Sequence, residues 1–410
     1  MQITVRRAVI AMASTAIIVF ATASAADAQD KTVKIGVLTD QSGPYQDLGG
    51  SGSTLAAEMA IEDSGLRAKG WKIDLYSGDH QNKPDIGVNI ARNWIDNEKV
   101  DVIADINNSG VALAVNNLTR DKNAIHLNSG AASTDLTNAQ CSPNTVHWTY
   151  DTYMLANSTA QALVKSGGDS WFFLTADYAF GAALERDASA VVKSSGGKVL
   201  GNVKHPLNTA DFSSFLLQAQ ASKAKVIGLA NAGGDTSAAV KQAAEFGIVR
   251  AGQKLAAMLL FVTDVKAIGL ETAQGLNLTE TFYWDLNDQT RAFSKRFAER
   301  MKTKSPPTMT HAGVYGSLIH YFKTLEALGG NPHDGARVVA KMKEIKTDDP
   351  LFGEGLIEAN GRAIHPAYLF EVKKPSESKG PWDLYKLVAT TPADQAFLPL
   401  ARSTCALLKK

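Results

Sequence analysis

Small polar residues gather in five short segments, each of which follows a predicted strand and precedes a predicted helix. Their types suit a small acid, because backbone N–H groups at helix starts and serine hydroxyls bind carboxylates, and aromatic rings pack against an apolar body. Routine helix capping by Ser and Asp explains any single segment equally well, but five together favour one binding cleft. The segments are residues 39–45 (TDQSGPY), 107–110 (NNSG), 128–133 (NSGAAS), 175–181 (TADYAFG) and 231–235 (NAGGD).

The sequence lacks the patterns that carry catalysis or cofactor binding. The glycine-rich stretch 49–54 has neither the third glycine of a dinucleotide-binding turn nor the lysine of a phosphate-binding loop. No G-x-S-x-G or H-E-x-x-H motif occurs, and the eight histidines include no i, i+4 pair. We therefore expect no catalytic residues, no cofactor and no metal, and a hydrolase is the least favoured function.

The elements that must position these segments alternate along the chain. Short β-branched runs alternate with longer amphipathic stretches in two successive sets. This pattern predicts α/β architecture with two doubly wound, Rossmann-like lobes. The last predicted strand of the second set covers residues 255–261. Later helices and strands complete both lobes, so the chain crosses between them several times and forms a multi-strand hinge. The predicted first lobe comprises residues 29–148 and 285–360, and the predicted second lobe comprises residues 149–284 and 361–410.

The charge balance limits the partners. The chain has 42 Lys and Arg against 41 Asp and Glu among 410 residues, which removes the electrostatic case for a nucleic-acid partner or an anionic membrane surface. The length predicts two or three domains. We expect a monomer with a small-molecule ligand.

The N-terminus has the pattern of a secretory signal peptide, residues 1–28. Arg6 and Arg7 precede an apolar run over residues 8–21, and cleavage sites of the small-x-small type end at Ala25 and Ala28. A membrane anchor is the weaker interpretation, because the run is shorter than the ~20 apolar residues that span a bilayer. Cleavage after Ala28 would leave a mature chain of zero formal charge, which we expect in the periplasm.

The predicted export of the protein affects how its two cysteines, Cys141 and Cys405, are interpreted. In an oxidising compartment two otherwise solitary cysteines are best explained by one disulfide, which would join the C-terminal tail to the body of the protein. Two unrelated thiols are the alternative.

Four motifs together resemble the periplasmic solute-binding proteins of ABC importers, specifically the type I, leucine/isoleucine/valine-binding family. They are residues 34–44 (KIGVLTDQSGP), 79–84, 211–213 (DFS) and 242–248 (QAAEFGI). The resemblance covers essentially the whole mature chain. It implies a two-lobed protein that closes around a solute and delivers it to a membrane permease without performing chemistry. A ligand sensor of the same fold, which feeds a receptor, is the alternative.

The resemblance also assigns ligand-binding residues. Ser109 matches the serine that binds the solute carboxylate, and Ala131 and Ser133 match positions that contact the same head group. Phe180 matches the second-lobe aromatic that closes over the ligand. The loop from Tyr45 to Leu48 matches the one that lines the side-chain pocket.

Two departures from the family pattern affect the ligand. Only Asp264 could serve as the second-lobe carboxylate that pairs with an amino-acid ammonium, and residues 232–234 (AGG) replace a family aromatic. Because an unpaired buried ammonium is costly, a carboxylate that lacks this group becomes competitive. The expected ligand is a small carboxylate, either an aromatic acid or a branched-chain or hydrophobic amino acid. The sequence is similar to the aromatic-acid branch of the family. Asp264 and Asp235 would accept from a ligand amino or hydroxyl group, and Trp284 would pack against its body.

Overall fold

A computed structural model describes residues 30–409 of the chain. The predicted signal peptide, residues 1–28, lies outside the described residues. Within residues 30–409, no helix combines the length and the apolar character needed to cross a membrane.

The first sheet is parallel and has helices on both faces, so its strands are short apolar runs with most residues buried. Its strands are β1 (Thr32–Thr39), β2 (Lys72–Asp79), β3 (Val102–Asp105), β4 (Ile125–Asn128) and β5 (Thr145–His147). They lie in the order β2-β1-β3-β4-β5. The connecting helices are α1 (Gly50–Asp63), α2 (Pro84–Asn93) and α3 (Ser109–Asp121).

The second sheet repeats this arrangement. A helix interrupted by a π-turn, α4 (Thr152–Leu155) and α5 (Gln161–Lys165), leads into it. Its elements are β6 (Ser170–Ala176), α6 (Ala179–Ser194), β7 (Lys198–His205), α7 (Ser213–Ala221), β8 (Val226–Ala230), α8 (Gly233–Glu245) and β9 (Lys254–Ala256). The four strands are parallel, in the order β7-β6-β8-β9.

The rest of the chain packs beside both parallel sheets and forms two small antiparallel sheets of its own. The remaining elements are α9 (Val262–Ile268), α10 (Leu270–Ala273), β10 (Asn277–Glu280), α11 (Asp288–Arg300), α12 (Met309–Leu328), α13 (Gly335–Glu344), β11 (Thr347–Asp349), β12 (Gly353–Ile357), β13 (Ala363–Ile364), β14 (Ala367–Val372), β15 (Tyr385–Thr391) and α14 (Ala393–Ala396). Helix α12 packs on α1, whereas the antiparallel sheet β10-β14-β15 shares the core of the second sheet. Below, the first lobe is the five-stranded sheet with α11–α13, and the second lobe is the four-stranded sheet with β10-β14-β15.

The connections between the lobes are tied together by a buried ion pair. Asp151 lies just after β5, and Arg362 lies just before β13. Their side chains approach to 3.5 Å and are 1% and 2% exposed respectively. Burial lowers the pKa of Arg362 to about 10 and raises that of Asp151 to about 6. The guanidinium also donates to the Thr149 carbonyl and lies over the Phe397 ring. The first connection between the lobes, near residues 148–152, is therefore held to the third, near residues 359–365.

Cys141 and Cys405 form the disulfide that the sequence predicted. Nearby, the Asn138 side-chain oxygen accepts hydrogen bonds from the Thr404 N–H at 2.6 Å and the Ser403 hydroxyl at 3.1 Å. The C-terminal tail is therefore attached to the first lobe by one covalent link and several hydrogen bonds.

The α/β class with two parallel sheets is confirmed, but two details of the sequence prediction are wrong. The strand predicted over residues 255–261 ends at Ala256, because the chain then turns into the cleft and starts α9 after Phe261. The small antiparallel sheet β11-β12-β13 was not expected at all. Its strands are very short, and β12 begins Gly-Glu-Gly, residues that favour turns over strands.

Candidate functional site

A small cavity, of about 10 Å³, lies between the lobes. The cavity lies at the carboxyl ends of the strands, which is where doubly wound sheets bind ligands. Among the described residues that line it, none carries a carboxylate, ammonium, guanidinium or imidazole group. The lining residues are Tyr45, Leu48, Asn107, Ser109, Gly130, Ala131, Ala132, Tyr150, Tyr178, Phe180, Ala232 and Leu259.

Ser109 is the first residue of α3, where the Asn108 side chain caps the helix by accepting from the N–H groups of Gly110 and Val111. Ser109 is only 2% exposed. Its Oγ accepts from the Ser133 N–H at 3.2 Å, which leaves the hydroxyl hydrogen able to donate. A hydroxyl donor at a helix N-terminus is a suitable partner for a carboxylate.

Asn107 shapes the first-lobe wall by holding the loop after β1. Its side-chain oxygen accepts from the Asp40 N–H at 2.7 Å, and its side-chain nitrogen donates to the Tyr45 carbonyl at 3.0 Å. The Asp40 carboxylate in turn accepts from the Tyr45 N–H at 2.9 Å. These bonds place the Tyr45 ring at the edge of the cavity.

The turn that carries Asn107 and Ser109 has unusual backbone geometry. Asp105 and Ile106 have φ values of +76° and +57°, in the left-handed region that a β-branched residue rarely adopts. The Ile106 N–H donates to the Leu38 carbonyl at 2.9 Å, so pairing with β1 holds the turn in place. Strain of this kind persists where surrounding structure fixes it, typically at functional sites.

The second-lobe wall begins immediately after β6. Tyr178 and Phe180 flank the start of α6, with ring centres 6.0 Å apart, and both line the cavity. Gly181 permits the sharp entry into this helix, because a Cβ there would lie 2.0 Å from the Ala176 carbonyl oxygen. The hydroxyls of Tyr178 and Tyr45 lie 2.5 Å apart, which closes the cavity at this side.

Other contacts also join the lobes around the cavity. The Gly234 N–H donates to the Pro44 carbonyl at 3.2 Å. Gly233 has φ +58°, and a Cβ there would lie 2.6 Å from the same Pro44 oxygen, so this approach requires glycine. On the opposite side Arg186 pairs with Asp135 at 3.1 Å. The structure is therefore a closed arrangement of the lobes.

Tyr150 lies between the lobes, on the first connection. Its hydroxyl donates to the Gly130 carbonyl at 2.7 Å, and its ring meets Phe261 edge-on at 5.9 Å. Both Tyr150 and Gly130 line the cavity.

Of the residues that the sequence singled out, Tyr45, Leu48, Ser109, Ala131 and Phe180 line the cavity. Both backbone groups of Ala131 bond to the Asn128 side chain, at 3.3 Å for its N–H and 2.7 Å for its carbonyl. Ala131 therefore presents mainly apolar surface here.

Ser133, Asp235, Asp264 and Trp284 are not among the lining residues. Ser133 lies one layer behind Ser109 and caps its own turn. Asp235 accepts from the N–H groups of residues 208 and 209, and burial raises its pKa to about 6. Asp264 accepts from the Phe261 N–H at 3.0 Å, and burial raises its pKa to about 7. The Trp284 indole N–H donates to the Trp382 carbonyl at 2.9 Å.

Sequence reasoning missed several lining residues that it could have found. Asn107, Gly130 and Tyr178 lie inside the polar segments described above, and Tyr150 lies in a crossover between the lobes. Leu259 could not be identified from the sequence as a lining residue, because its segment was predicted to be a strand.

Comparison with known proteins places these features in a family. Residues 32–380 match the family model described as periplasmic binding protein. A periplasmic binding protein from Burkholderia mallei has 49% identity, with a TM-score of 0.89, and the match covers 92% of this chain and 100% of that one. A branched chain amino acid ABC transporter periplasmic ligand-binding protein from Burkholderia xenovorans has 39% identity and a TM-score of 0.80, over 92% of this chain and 99% of that one.

A third structure, a solute binding protein of an ABC transporter from R. palustris in complex with benzoate, has 21% identity and a TM-score of 0.80, over 92% of this chain and 99% of that one. At this identity the similarity concerns the fold alone. The chain belongs to the periplasmic binding protein family, and its two-lobed fold is of type I, as the sequence motifs predicted.

Proposed function

We propose that this chain is the periplasmic solute-binding component of an ABC importer, that it is not an enzyme, and that its ligand is a small aromatic carboxylate. One observation carries the choice of ligand: no described residue that lines the cavity has a charged side chain. An α-ammonium group would be desolvated there without an anionic partner, which is strongly unfavourable. An acid without that group avoids this cost, and the N-terminus of α3 and the Ser109 hydroxyl can hydrogen-bond its carboxylate without a cation.

The first lobe would bind the carboxylate. Ser109 has a hydroxyl hydrogen to donate, and the Asn107 amide retains one N–H beyond the bond to Tyr45. Hydrogen bonds to a charged acceptor are stronger than neutral ones. The rings of Tyr150, Tyr178 and Phe180 would enclose the apolar body.

Transport would rest on hinge closure. The tyrosine pair Tyr45–Tyr178 and the Gly234–Pro44 bond join the two lobes, so an open form must break them to admit a solute. A ligand that contacts both lobes favours the closed form, and a permease would recognise that form. We expect the mature protein to act as a monomer in the periplasm after removal of its signal peptide.

The second candidate ligand is a branched-chain amino acid, as named for the B. xenovorans relative. Asp264 is the carboxylate that the family resemblance offers as an ammonium partner, but it bonds to its own helix start. Binding of leucine with an affinity that falls in Asp264→Asn would favour this candidate.

A thermal-shift screen followed by calorimetry tests the proposal, because a ligand that binds only the folded state raises the melting temperature. Benzoate and 4-hydroxybenzoate are compared with leucine and valine. Binding of the benzoates alone supports the aromatic assignment, and binding of leucine alone contradicts it. Ser109→Ala should weaken benzoate binding, whereas the exposed Ser214→Ala should not.

Transport and sensing are separated in the native host. Deletion of the gene should abolish uptake of labelled ligand, and re-expression should restore it. Unchanged uptake with a lost transcriptional response to the ligand would favour the sensor alternative.

A further inference from the structure

Asp105, the last residue of β3, is a buried carboxyl that the proposed binding contacts do not use. Its side chain has no exposed surface, and neither carboxyl oxygen has a hydrogen-bond partner of good geometry. Buried carboxylates are normally paired or strongly hydrogen-bonded, because an isolated buried charge is unstable. An unpartnered carboxyl at a strained turn therefore calls for a functional explanation.

The Asp105 carboxyl lies directly behind the cavity wall. A Cβ added to Gly130, which lines the cavity, would be 2.7 Å from Asp105 Oδ1. The Gly130 N–H also points to the Asp105 carbonyl at 3.3 Å. Burial is the main cause of the raised pKa of Tyr150, another lining residue, and the nearby Asp105 carboxylate adds to it.

Among the described residues around Asp105, no cation balances its charge. Only the hydroxyls of Ser53 and Thr39 favour its ionised form, and burial outweighs them and raises its pKa to about 7. Burial lowers the pKa of each neighbouring histidine to about 3 or 4, so these imidazoles are neutral at pH 7. The titratable groups on the adjoining elements are Asp40 on the loop after β1, His80 after β2, His126 on β4, Tyr150 on the first connection and His311 on α12.

We propose that solute binding is proton-linked through Asp105: when a carboxylate occupies the cavity, a proton from the solvent binds to the Asp105 carboxylate, and the ionised form of Asp105 opposes anion binding. The inference rests on the proposed carboxylate ligand. Two unpaired negative charges on either side of one glycine repel strongly in a poorly solvated site, whereas protonated Asp105 carries no charge. The site therefore accepts an anion when Asp105 is protonated and disfavours it when Asp105 is ionised.

Linkage gives the sign of the effect. A carboxylate ligand favours protonated Asp105, so protonated Asp105 equally favours the ligand. Affinity should be nearly constant well below pH 7 and should fall as the pH rises through the pKa of Asp105, approaching roughly tenfold per pH unit at the steepest. Benzoate itself remains ionised throughout this range and adds no pH dependence of its own.

Calorimetry of the mature protein with benzoate at pH 7.5, in phosphate and in Tris, tests the proposal. These buffers differ in ionisation enthalpy, so proton uptake makes the observed binding heats differ. We expect a difference that corresponds to uptake of a fraction of one proton, and a Kd that increases from pH 6.5 to pH 8.5. Equal heats in the two buffers with a constant Kd would overturn the inference while leaving carboxylate binding intact. Absence of heat with benzoate, 4-hydroxybenzoate and other small carboxylates at every pH would overturn both.

A matched pair of variants assigns the proton. Asp105→Asn keeps the shape and removes the titration, so it should abolish the buffer dependence and bind benzoate at pH 8.5 at least as tightly as the parent protein. Asp349→Asn changes a different buried carboxyl, whose pKa burial raises to about 6, and should retain proton uptake. Loss of uptake in the Asp349 variant alone would overturn the assignment to Asp105. If Asp105→Asn does not fold, the two-buffer measurement on the parent protein still decides whether binding is proton-linked.

Discussion

The two lobes contribute different chemistry to the same cavity. The first lobe presents Asn107, Ser109 and Gly130, whose backbone and side chains are fixed by a dense hydrogen-bond network. The second lobe presents Tyr178, Phe180, Ala232 and Leu259, which offer one hydroxyl and otherwise apolar surface. Under the proposed function, the first lobe would set the orientation of the acid and the second lobe would close over its body.

The largest expected effect is a loss of stability when the covalent link between the C-terminal tail and the first lobe is removed. Replacing Cys141 and Cys405 with Ala removes a link that spans 264 residues of sequence and ties the tail to the first lobe. We expect a loss of about 2–5 kcal/mol in the free energy of unfolding, measured by chemical denaturation, with benzoate affinity largely preserved. An unchanged denaturation midpoint would show that the tail adds no stability to the first lobe.

The next effect concerns the acid-binding side. Ser109→Ala removes the hydroxyl donor and should cost about 1.5–3 kcal/mol of binding free energy, or roughly 10- to 100-fold in Kd, because the lost bond is to a charged group. Calorimetry with benzoate measures it. An unchanged affinity would mean that the carboxylate does not bind to the first lobe at this serine.

A further contrast lies between two buried histidines, because both ring nitrogens of His205 in the second lobe have hydrogen-bond partners, whereas those of His126 in the first sheet do not. Both ring nitrogens of His126 are unpartnered, and burial lowers its pKa to about 3. A lowered histidine pKa destabilises the folded state as the pH falls below about 6.5, by roughly 1.4 kcal/mol per pH unit. His126→Gln should therefore lose about 1.4 kcal/mol less stability than the parent protein between pH 6 and pH 5.

Denaturation curves at the two pH values measure this difference, and comparison with the parent removes the opposing contribution of buried acids such as Asp151, whose pKa is raised to about 6. His333 provides a control of opposite sign, because its contacts with Asp30 and Asp101 raise its pKa. His333→Gln should match the parent between pH 6 and pH 5, where the contribution of His333 is already complete, and should gain less stability than the parent as the pH falls from 8 to 6.5. Equal losses in His126→Gln and the parent between pH 6 and pH 5 would contradict the assignment to His126.

The smallest expected effect tests closure. Tyr178→Phe removes the hydroxyl that meets Tyr45 at 2.5 Å and keeps the ring. We expect a cost of about 0.5–1.5 kcal/mol, or roughly two- to tenfold in benzoate Kd, seen mainly as faster dissociation in stopped-flow measurements. Tyr368→Phe, a half-buried tyrosine outside the cavity, should leave both quantities unchanged.

Several parts of the site could be predicted because they depend on local pattern. Strand-helix alternation placed Ser109, Phe180 and Tyr45 at strand ends, and strands of one parallel sheet end at the same edge. Trp284, Asp235 and Asp264 lie in equally polar or aromatic segments, yet the structure places them outside the cavity lining. Their side chains bond to backbone groups of neighbouring loops, and local sequence does not reveal such partners.

The sequence by itself determined the class of fold, because periodicity, turn residues and the order of elements are local properties. They do not depend on how the two lobes are arranged. It also predicted the disulfide, since the chain has only two cysteines and an export signal, and the structure confirms the bond. The tertiary structure alone decided which side chains share the cavity and which carboxyls lose their solvent. Asp105 is the clearest case: in the sequence it is an ordinary aspartate after a strand, and its properties arise because Gly130, Ser53 and Thr39 from distant segments bury it without a counter-ion.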